Sequence, residues 1–293
     1  MLDLHRLRSL RELAARGTMT AAAEALNYTP SAISQQLAAL EADVGATLLE
    51  PRGRRVALTP AGRVLVEESE ALFAAMERAT TAVATVAGQI VGPVHVGAFQ
   101  SAGARIVPPA LACLNDEHPD LEVHFVQWEE QGLRELRLGH LDIWLDQEYE
   151  VLPMRRYEGL DARVLLVEPL YLAVPSDADA GPDLDAYGDR RWIAEPQTSE
   201  FGRLIPVLTG RAGIEPDVRF HTDDIEVTLQ LVAAGLGVSI LPRLATYRVP
   251  GGVELHQIEG TERRVKALTQ PEVTQRPAVQ LVLDHLERAG SAT

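Results

Sequence analysis

The chain has 293 residues, 46% of them hydrophobic and 24% charged, a balance typical of a globular protein with two or three domains. It shows neither a basic start followed by an apolar run nor a stretch of about 18 apolar residues, which argues against secretion and membrane spanning and predicts a cytoplasmic protein. The net charge is −15, yet residues 1–59 hold seven Arg and six acids, so the negative excess lies entirely in residues 60–293 and makes them unsuited to bind polyanions.

Residues 18–41 are typical of two short helices joined by a tight turn. Thr20 is predicted to cap a first helix over residues 21–26, which the following Asn-Tyr pair ends. Thr29 and Pro30 then begin a second helix, because Thr is a good cap and Pro at the first position lacks only a donor that would stay unpaired. These local signals predict a helix-turn-helix.

The second helix has an apolar face and an unusual polar face. Ile33, Leu37 and Leu40 follow helical spacing and are predicted to pack on the first helix. The polar face consists of Ser31, Ser34, Gln35 and Ala38. Short hydrogen-bonding groups in place of the usual Glu and Lys can approach phosphates and base edges, which favours a helix that enters the DNA major groove. An ordinary surface helix rich in Ser and Gln is the alternative.

Two short strands around Gly53 are predicted in residues 48–58. Three Arg lie at the tip of this hairpin: Arg52, Arg54 and Arg55. A basic hairpin beside a helix-turn-helix is typical of a wing, whose guanidinium groups hold phosphates through paired hydrogen bonds. Residues 1–59 are therefore interpreted as a winged helix-turn-helix domain that binds double-stranded DNA.

A single helix of about 40 Å is predicted over residues 60–88, where Gly62 is the only internal breaker. Its a and d positions repeat through Leu65, Ser69, Leu72, Met76, Ala79, Val83 and Val86. This repeat favours pairing with the same helix of a second copy. A protein that binds palindromic DNA needs two DNA-binding domains at a fixed spacing, and such a dimer would provide them. A long helix that packs on its own domain is the alternative.

Strands and helices alternate beyond a predicted hinge at residues 88–93. A first unit has predicted strands at 94–99, 121–126 and 141–145 and helices at 106–117 and 133–138. The second unit has predicted strands at 163–167, 171–174, 192–194, 218–220 and within 235–242, and predicted helices at 201–212 and 225–234. The chain then returns to the first unit through a predicted strand at 265–269 and a predicted helix at 278–288. The rhythm predicts two α/β lobes with parallel sheet cores, joined by crossing strands around a ligand-binding cleft.

Catalytic and metal-binding patterns are missing from the sequence. There is no Gly-x-Ser-x-Gly elbow, no Walker-type phosphate loop and no Gly-x-Gly-x-x-Gly after a strand, so a hydrolase is disfavoured and no enzyme is predicted. No Cys and His cluster has zinc spacing, and no metal or cofactor is predicted. Cys113 is interpreted as a buried, inert thiol rather than a redox sensor, and Trp128 and Trp144 as core rather than cleft residues.

Several motifs together point to one family. They lie at residues 22–26, 30–37, 40–41, 45, 48–49, 53–56 and 58–62, and in the second part of the chain at 119, 139–142 and 232–242. With them the chain resembles the LysR-type transcriptional regulators over essentially its full length. The resemblance implies an α/β protein with a winged helix-turn-helix (1–59), a dimerising linker helix (60–88) and a two-lobed effector domain resembling periplasmic binding proteins (89–293). Lobe I would comprise 93–162 and 269–293, and lobe II 163–268.

The resemblance also implies partners and DNA-contact residues. The partners are operator DNA, a small-molecule effector, further copies in a homodimer or homotetramer, and RNA polymerase. Base contacts are implied for Ser31, Ser34 and Gln35, and phosphate contacts for Thr20, Thr29, Arg54 and Arg55. The chain departs from the family at Glu50-Pro51, where an Arg usually follows the acid, and Arg52 is expected to substitute from a different direction.

The implied effector contacts follow predicted strands in both lobes. They are Gln100, Ser101 and Asp146 in lobe I, and Thr198, Ser199, Thr222 and Asp223 in lobe II. Gln100-Ser101 and Thr198-Ser199 are each expected at the start of a helix, where backbone N–H groups favour an anion. The Ser and Thr hydroxyls at these positions suit simple helix caps equally well. The two Asp can pair with a ligand amine or be solvated loop acids. A DNA-binding architectural regulator without ligand control remains the alternative function.

Overall fold

The computed structural model describes residues 2–52, 55–86, 92–128, 131–178, 181 and 183–293. Its internal contacts divide the chain into two units, residues 1–80 and 81–293, which are described separately. Within the described residues, no helix is long and apolar enough to cross a membrane.

The first unit contains three helices, a hairpin and most of a long helix. The elements are α1 (Leu4–Arg16), α2 (Met19–Leu26), α3 (Pro30–Val44), β1 (Leu49–Arg52), β2 (Arg55–Leu58) and α4 (Pro60–Val86). The core is formed by Leu7, Leu10, Leu13, Ala22, Ala23, Ile33, Leu37, Leu40 and Leu48, all at most 3% exposed. The small Ala side chains of α2 let the three helices approach closely.

The caps of the helix-turn-helix differ in part from the sequence expectation. Thr18, not Thr20, caps α2, since its extended backbone follows the left-handed Gly17 and its hydroxyl accepts from the Ala21 N–H at 3.2 Å. The cap therefore lies two residues earlier than predicted, and Thr20 is an exposed residue inside α2. Thr29 caps α3 as predicted, accepting from the Ala32 N–H at 3.2 Å.

The predicted hairpin is present, with β1 and β2 antiparallel and Arg52 opposite Arg55. One carboxylate oxygen of Glu41 accepts from the backbone N–H groups of Leu48 and Leu49, at 2.8 and 3.1 Å, and ties the hairpin to α3. The predicted turn residues 53 and 54 lie outside the described residues, as do residues 87–91 of the predicted hinge.

The second unit is built on a mixed six-stranded sheet in the order β4-β3-β5-β10-β6-β9. Its strands are β3 (Val94–Ala98), β4 (Val123–Gln127), β5 (Ile143–Tyr149), β6 (Asp161–Pro175), β9 (Ser239–Pro242) and β10 (Val253–Thr269), and a separate parallel pair is formed by β7 (Arg191–Ala194) and β8 (Asp217–His221). The helices are α5 (Gln100–Arg105), α6 (Val107–Glu117), α7 (Gly132–Leu138), α8 (Leu204–Arg211), α9 (Ile225–Ala233), α10 (Pro271–Thr274) and α11 (Pro277–Ser291).

The parallel core predicted for the first lobe is present in β4-β3-β5, and the second lobe contains the parallel pair β7-β8. The second lobe is not parallel throughout, since β9 pairs antiparallel with β6. The predicted crossing strands are β6 and β10, a long antiparallel pair shared by both lobes. The two strands predicted at 163–167 and 171–174 are one strand, because Pro169 lies beside a register shift and does not end the ladder. Each lobe has its own core on this shared pair.

Cys113 is exposed, which corrects its assignment as a buried thiol. The buried face of α6 is formed by Val107, Ala110 and Leu114, and Cys113 falls beside this face. Trp144 is a core residue at 3% exposure, as predicted, but it also lines a pocket between the lobes, so its predicted exclusion from the cleft is wrong. Trp128 is half-buried against the same core cluster.

Candidate functional site

The second helix of the helix-turn-helix has a buried apolar stripe and an exposed surface of mainly polar and small residues, with Val44 exposed near its end. Ile33, Leu37 and Leu40 of α3 are buried at 1% exposure or less. The side chains predicted to contact bases, Ser31, Ser34 and Gln35, are all exposed. The neighbouring Gln36 differs, since its amide oxygen accepts from the Ser9 hydroxyl of α1. The helix therefore presents a short polar surface that is available to a partner.

The predicted phosphate contacts occupy different local settings. The Thr29 hydroxyl lies 3.0 Å from that of Ser31 and also caps α3, so capping leaves it at the exposed start of the helix. Tyr28, which sequence reasoning did not select, is 45% exposed beside it. The backbones of Arg52 and Arg55 end and begin the two hairpin strands, while their side chains and the whole of Arg54 lie outside the described residues.

A cleft lies between the two lobes of the second unit and contains two adjoining pockets. The Ser101 pocket has a cavity volume of about 40 Å³ and is lined by Gln100, Ser101, Thr222 and Asp223 of the predicted set. The Asp146 pocket has a cavity volume of about 250 Å³ and is lined by the other three, Asp146, Thr198 and Ser199. Phe99, Gln147, Glu195 and Phe201 line both. All seven predicted effector residues therefore line this cleft.

Ser101 is not a free helix-start hydroxyl, because it is buried and bonded to Arg263. The Arg263 guanidinium is 2% exposed, donates from Nη2 to the Ser101 Oγ at 3.1 Å and from Nη1 to the Gln147 Oε1 at 2.9 Å. Its Nε donates to the Glu168 Oε1 at 2.7 Å, and Glu168 also accepts from the Leu244 N–H at 2.8 Å. The floor of the cleft is thus a charge-balanced, fully bonded network.

Sequence reasoning missed Arg263 and Glu168, although they lie directly opposite each other on β10 and β6. The apolar pattern predicts one strand that begins at 265 and another that ends at 167, which places both residues in connections between strands. They are 95 positions apart in the chain, and only the pairing of the two long strands brings them together. The local signal for each residue is only a charged side chain next to an apolar segment, at 164–167 for Glu168 and at 265–269 for Arg263.

Residues predicted in lobe II have mixed roles. The N–H of Ile225, the first residue of α9, donates to the Gln100 Oε1 at 3.4 Å, which links the two lobes. Asp224 caps α9, and its own N–H donates to the Thr222 Oγ1 at 3.1 Å. Asp223 is exposed, as the solvated alternative expected. Helix capping therefore belongs to Asp224 rather than to Thr222 or Asp223.

Asp146 is a strand residue, not a loop acid. The strand β5 continues to Tyr149, four residues beyond its predicted end, so Asp146 is only 5% exposed. Arg155 lies between two carboxylates, with Nη1 3.5 Å from the Asp146 Oδ2 and Nη2 2.8 Å from the Glu200 Oε2. Since Asp146 belongs to lobe I and Glu200 to lobe II, this ion pair also links the lobes.

Burial raises the pKa of the Glu200 carboxyl to about 7, because the charged form loses solvation. Arg155 opposes this shift, whereas the neighbouring charges of Asp146 and Glu148 add to it. The Ser199 hydroxyl donates to the Glu195 Oε2 at 2.7 Å and accepts from the Gly202 N–H at 2.9 Å, so it caps the turn that carries Glu200. Among the described residues, no group of three or more His, Cys, Asp or Glu is arranged to hold a metal ion.

Two family models match the chain. The model described as LysR substrate binding domain matches residues 87–291, and the model described as bacterial regulatory helix-turn-helix protein, lysR family, matches residues 4–63. The matched segments contain the cleft and the helix-turn-helix, respectively.

Full-length relatives are transcription regulators rather than enzymes. The probable HTH-type transcriptional regulator LrrA of Synechococcus elongatus is 28% identical over 292 residues, covering 98% of this chain and 97% of the relative. The transcriptional dual regulator OxyR of Escherichia coli is 25% identical over 250 residues, covering 83% and 80%.

Solved structures of similar architecture include CbnR in complex with its target DNA, at 24% identity, a TM-score of 0.73 and coverage of 98% of this chain and 100% of CbnR. A hydrogen peroxide-bound variant of Corynebacterium glutamicum OxyR is 25% identical, with a TM-score of 0.62 and coverage of 99% and 93%. The likeness to CbnR shows the fold.

Proposed function

The chain belongs to the LysR family of DNA-binding transcriptional regulators, and from this premise we propose that a small molecule bound between its two lobes controls how α3 binds operator DNA. The observation that carries the proposal is that α3 buries Ile33, Leu37 and Leu40 while it exposes Ser31, Ser34 and Gln35. A helix that served only to close the core would not need exposed Ser and Gln in place of long charged side chains.

The proposed DNA contacts are assigned from the exposure and position of each side chain. Ser31, Ser34 and Gln35 form the exposed surface of α3 and are proposed to read base edges. Thr29 at the start of α3 and the exposed Thr20 of α2 are proposed to bind phosphates, as are the wing residues Arg52, Arg54 and Arg55. Thr29 retains this role while capping α3, because a hydroxyl has one donor and two acceptor sites.

The effector is proposed to bind in the cleft, in contact with residues of both lobes. Gln100 and Ser101 belong to the Ser101 pocket with Thr222 and Asp223, and the Asp146 pocket contributes Asp146, Thr198 and Ser199. A ligand that binds the closed and open cleft with different affinity shifts the population between them. The Gln100–Ile225 hydrogen bond and the Arg155 ion pairs are contacts that such a shift would make or break.

Self-association is proposed through α4. Leu65 is half-buried and Ser69 buried against their own unit, as the alternative expected for the helix. Further along the stripe, Leu72, Met76 and Val83 are 44%, 48% and 74% exposed in the single chain. These apolar side chains suit a second copy of α4, which would give a homodimer and, through further contacts, a homotetramer. RNA polymerase is the proposed partner at the promoter.

The test is operator binding with and without ligand. Duplexes bound by the full chain are first isolated from a genomic fragment pool, and their affinity is then measured by fluorescence anisotropy across a metabolite panel. A metabolite that binds the protein and changes operator affinity supports the proposal. Specific operator binding that no bound metabolite alters would favour the architectural regulator, and failure to prefer any sequence would refute base readout.

A further inference from the structure

We infer that Arg11 of α1 is a positioning residue, which holds the direction of α4 by lying over the ring of Phe73 and thereby sets the half-site spacing that a dimer accepts. The inference rests on the proposed function, since it requires two DNA-binding units paired through α4. Its support comes from where α4 contacts the core of the first unit and where those contacts end.

The start of α4 is fixed to the hairpin. The Thr59 hydroxyl accepts from the Gly62 N–H at 3.0 Å and donates to the Thr47 carbonyl oxygen at 2.8 Å. The Arg63 Nη1 donates to the Leu58 carbonyl oxygen at 2.9 Å. These contacts all lie at the first turn of the helix. The direction of the remaining turns therefore depends on contacts further along α4.

Phe73 is the most distant of these contacts. Within the described residues, the partly buried apolar side chains of α4 that pack on the core of the first unit are Leu65, Val66 and Phe73. Phe73 lies about 20 Å beyond the start of α4, at about 1.5 Å per residue. Met76, further along, is 48% exposed. A contact at Phe73 therefore has the longest lever arm on the direction of α4.

Arg11 joins this distant contact to α1. The carbon of its guanidinium lies 4.4 Å from the centroid of the Phe73 ring, and both side chains are half-buried. A cation within about 6 Å of a ring centroid is attracted to the ring face, and a planar guanidinium stacks on it. Leu7, Leu10 and Leu13 bury α1 in the core, so Arg11 extends from a fixed helix. The contact thus restrains α4 from a rigid base.

A change in the direction of α4 would change the separation of paired DNA-binding units. Leu72, next to Phe73, belongs to the exposed stripe that is proposed to pair with a second copy. A tilt of about 10° over about 20 Å displaces a unit by about 3.5 Å, which is about the rise of one base pair. Each base pair also rotates a half-site about the duplex axis, so a small error in spacing disturbs both distance and angle.

The first experiment measures the spacing preference of the full chain. The half-site is taken from duplexes selected out of a random pool, and inverted repeats of it are compared by fluorescence anisotropy, with the separation varied one base pair at a time. The wild-type chain should show one optimum, and Arg11→Ala should reduce its discrimination against neighbouring spacings several-fold. Arg8→Ala removes the same charge from an exposed position of α1 and should keep the wild-type profile. Loss of folded protein alone would lower the affinity equally at every spacing.

A double-mutant cycle tests the contact itself. Phe73→Leu keeps an apolar side chain against the core but removes the ring face, so it should broaden the spacing profile as Arg11→Ala does. Combining the two changes should add little, because both remove one contact. Arg11→Lys retains a cation for the ring and should restore part of the discrimination. An unchanged profile in Arg11→Ala, or additive effects of the two changes, would overturn the inference.

The direction of α4 is also measurable without DNA. Spin labels at Glu24→Cys and Thr80→Cys, two exposed positions, report the distance between α2 and the distal part of α4 in a Cys113→Ser chain. The labelled chain is diluted with unlabelled chain, so that distances within one copy are observed. The distance distribution should broaden after Arg11→Ala and stay narrow after Arg8→Ala. Equal widths in all three chains would overturn the inference.

Failure of the inference and failure of the proposed function give different results. An inverted repeat with the same spacing profile in wild type and Arg11→Ala would keep the proposed function and overturn the inference. A pool without an inverted repeat would refute paired binding of DNA and with it the role of Arg11 in spacing, whatever the spin labels show.

Discussion

Burial decides how individual acids of the cleft behave. Asp146 and Glu200 are almost inaccessible to solvent, and both form ion pairs with Arg155. Asp223 lies just after a strand and is exposed to solvent. The three acids look alike in the sequence, since each lies near a predicted strand or helix start. Their environments differ because β5 is longer than its apolar run and because lobe II covers its end, and neither feature is local.

Replacing Glu200 by Gln is expected to change the pH dependence of stability. The Glu200 pKa is raised from 4.5 to about 7 in the folded chain, so the folded state binds the proton more tightly than the unfolded state between these values. The stability gained from the neutral carboxyl is present below the unfolded pKa and is lost as the pH rises through the folded pKa. Wild-type stability should fall relative to the variant by up to about 3 kcal/mol across this window, measured by urea unfolding.

Glu158→Gln provides the control for this measurement, because Glu158 is exposed and outside the cleft. A stability difference between wild type and Glu200→Gln that is constant with pH, or that changes with the opposite sign, would contradict the assigned pKa.

Replacing Ser34 and Gln35 by Ala should weaken operator binding by roughly 1–3 kcal/mol per lost base contact. Both side chains are exposed, so the fold and its thermal midpoint should be preserved. Affinity for an unrelated duplex should change little, because phosphate contacts supply that binding. Equal losses on operator and unrelated DNA would assign these residues to the phosphate backbone instead.

Elements with local signals could be predicted from the sequence, and elements defined by distant pairing could not. The helix α3 follows from a Thr-Pro start and a helical apolar spacing, and both are present in the structure. The strands β6 and β10 run for 15 and 17 residues because each is the other's partner, with bulges that the apolar pattern does not reveal. The Arg263–Glu168 pair was missed for that reason.

Gly62 illustrates an element interface that tolerates no side chain. A Cβ at this position of α4 would lie 2.3 Å from the Leu48 carbonyl oxygen, so Gly62→Ala should destabilise the first unit by roughly 1–3 kcal/mol. Gly210→Ala, also in a helix but with nothing within 4 Å, should instead stabilise the chain by up to about 1 kcal/mol. Thermal unfolding of both variants tests this contrast, and equal effects would refute the close approach of α4 to Leu48.

At the scale of the whole molecule, the proposed function requires contacts between copies and a division of charge. The acidic residues 60–293 leave the N-terminal unit as the surface for DNA, and a symmetric operator requires two such units. The exposed stripe of α4 is the proposed means of pairing them.

Leu72→Gln should weaken self-association by about 1.5–3 kcal/mol for each Leu side chain removed from the interface, measured by sedimentation equilibrium. Val64→Gln is the matched control, because Val64 is 58% exposed on the same helix but lies off the stripe. Operator affinity should fall with the loss of dimers in the first variant only. Unchanged association of Leu72→Gln would place the subunit interface elsewhere.

The most direct measurement is selection of bound duplexes from a random pool by the full chain. If the polar surface of α3 reads bases and subunits act in pairs, the selected DNA should share an inverted repeat whose half-sites lie one or more helical turns apart, about 34 Å per turn. The Ser34→Ala/Gln35→Ala variant should lose that preference. A wild-type pool without any common motif, or with a single unrepeated motif, would contradict the account.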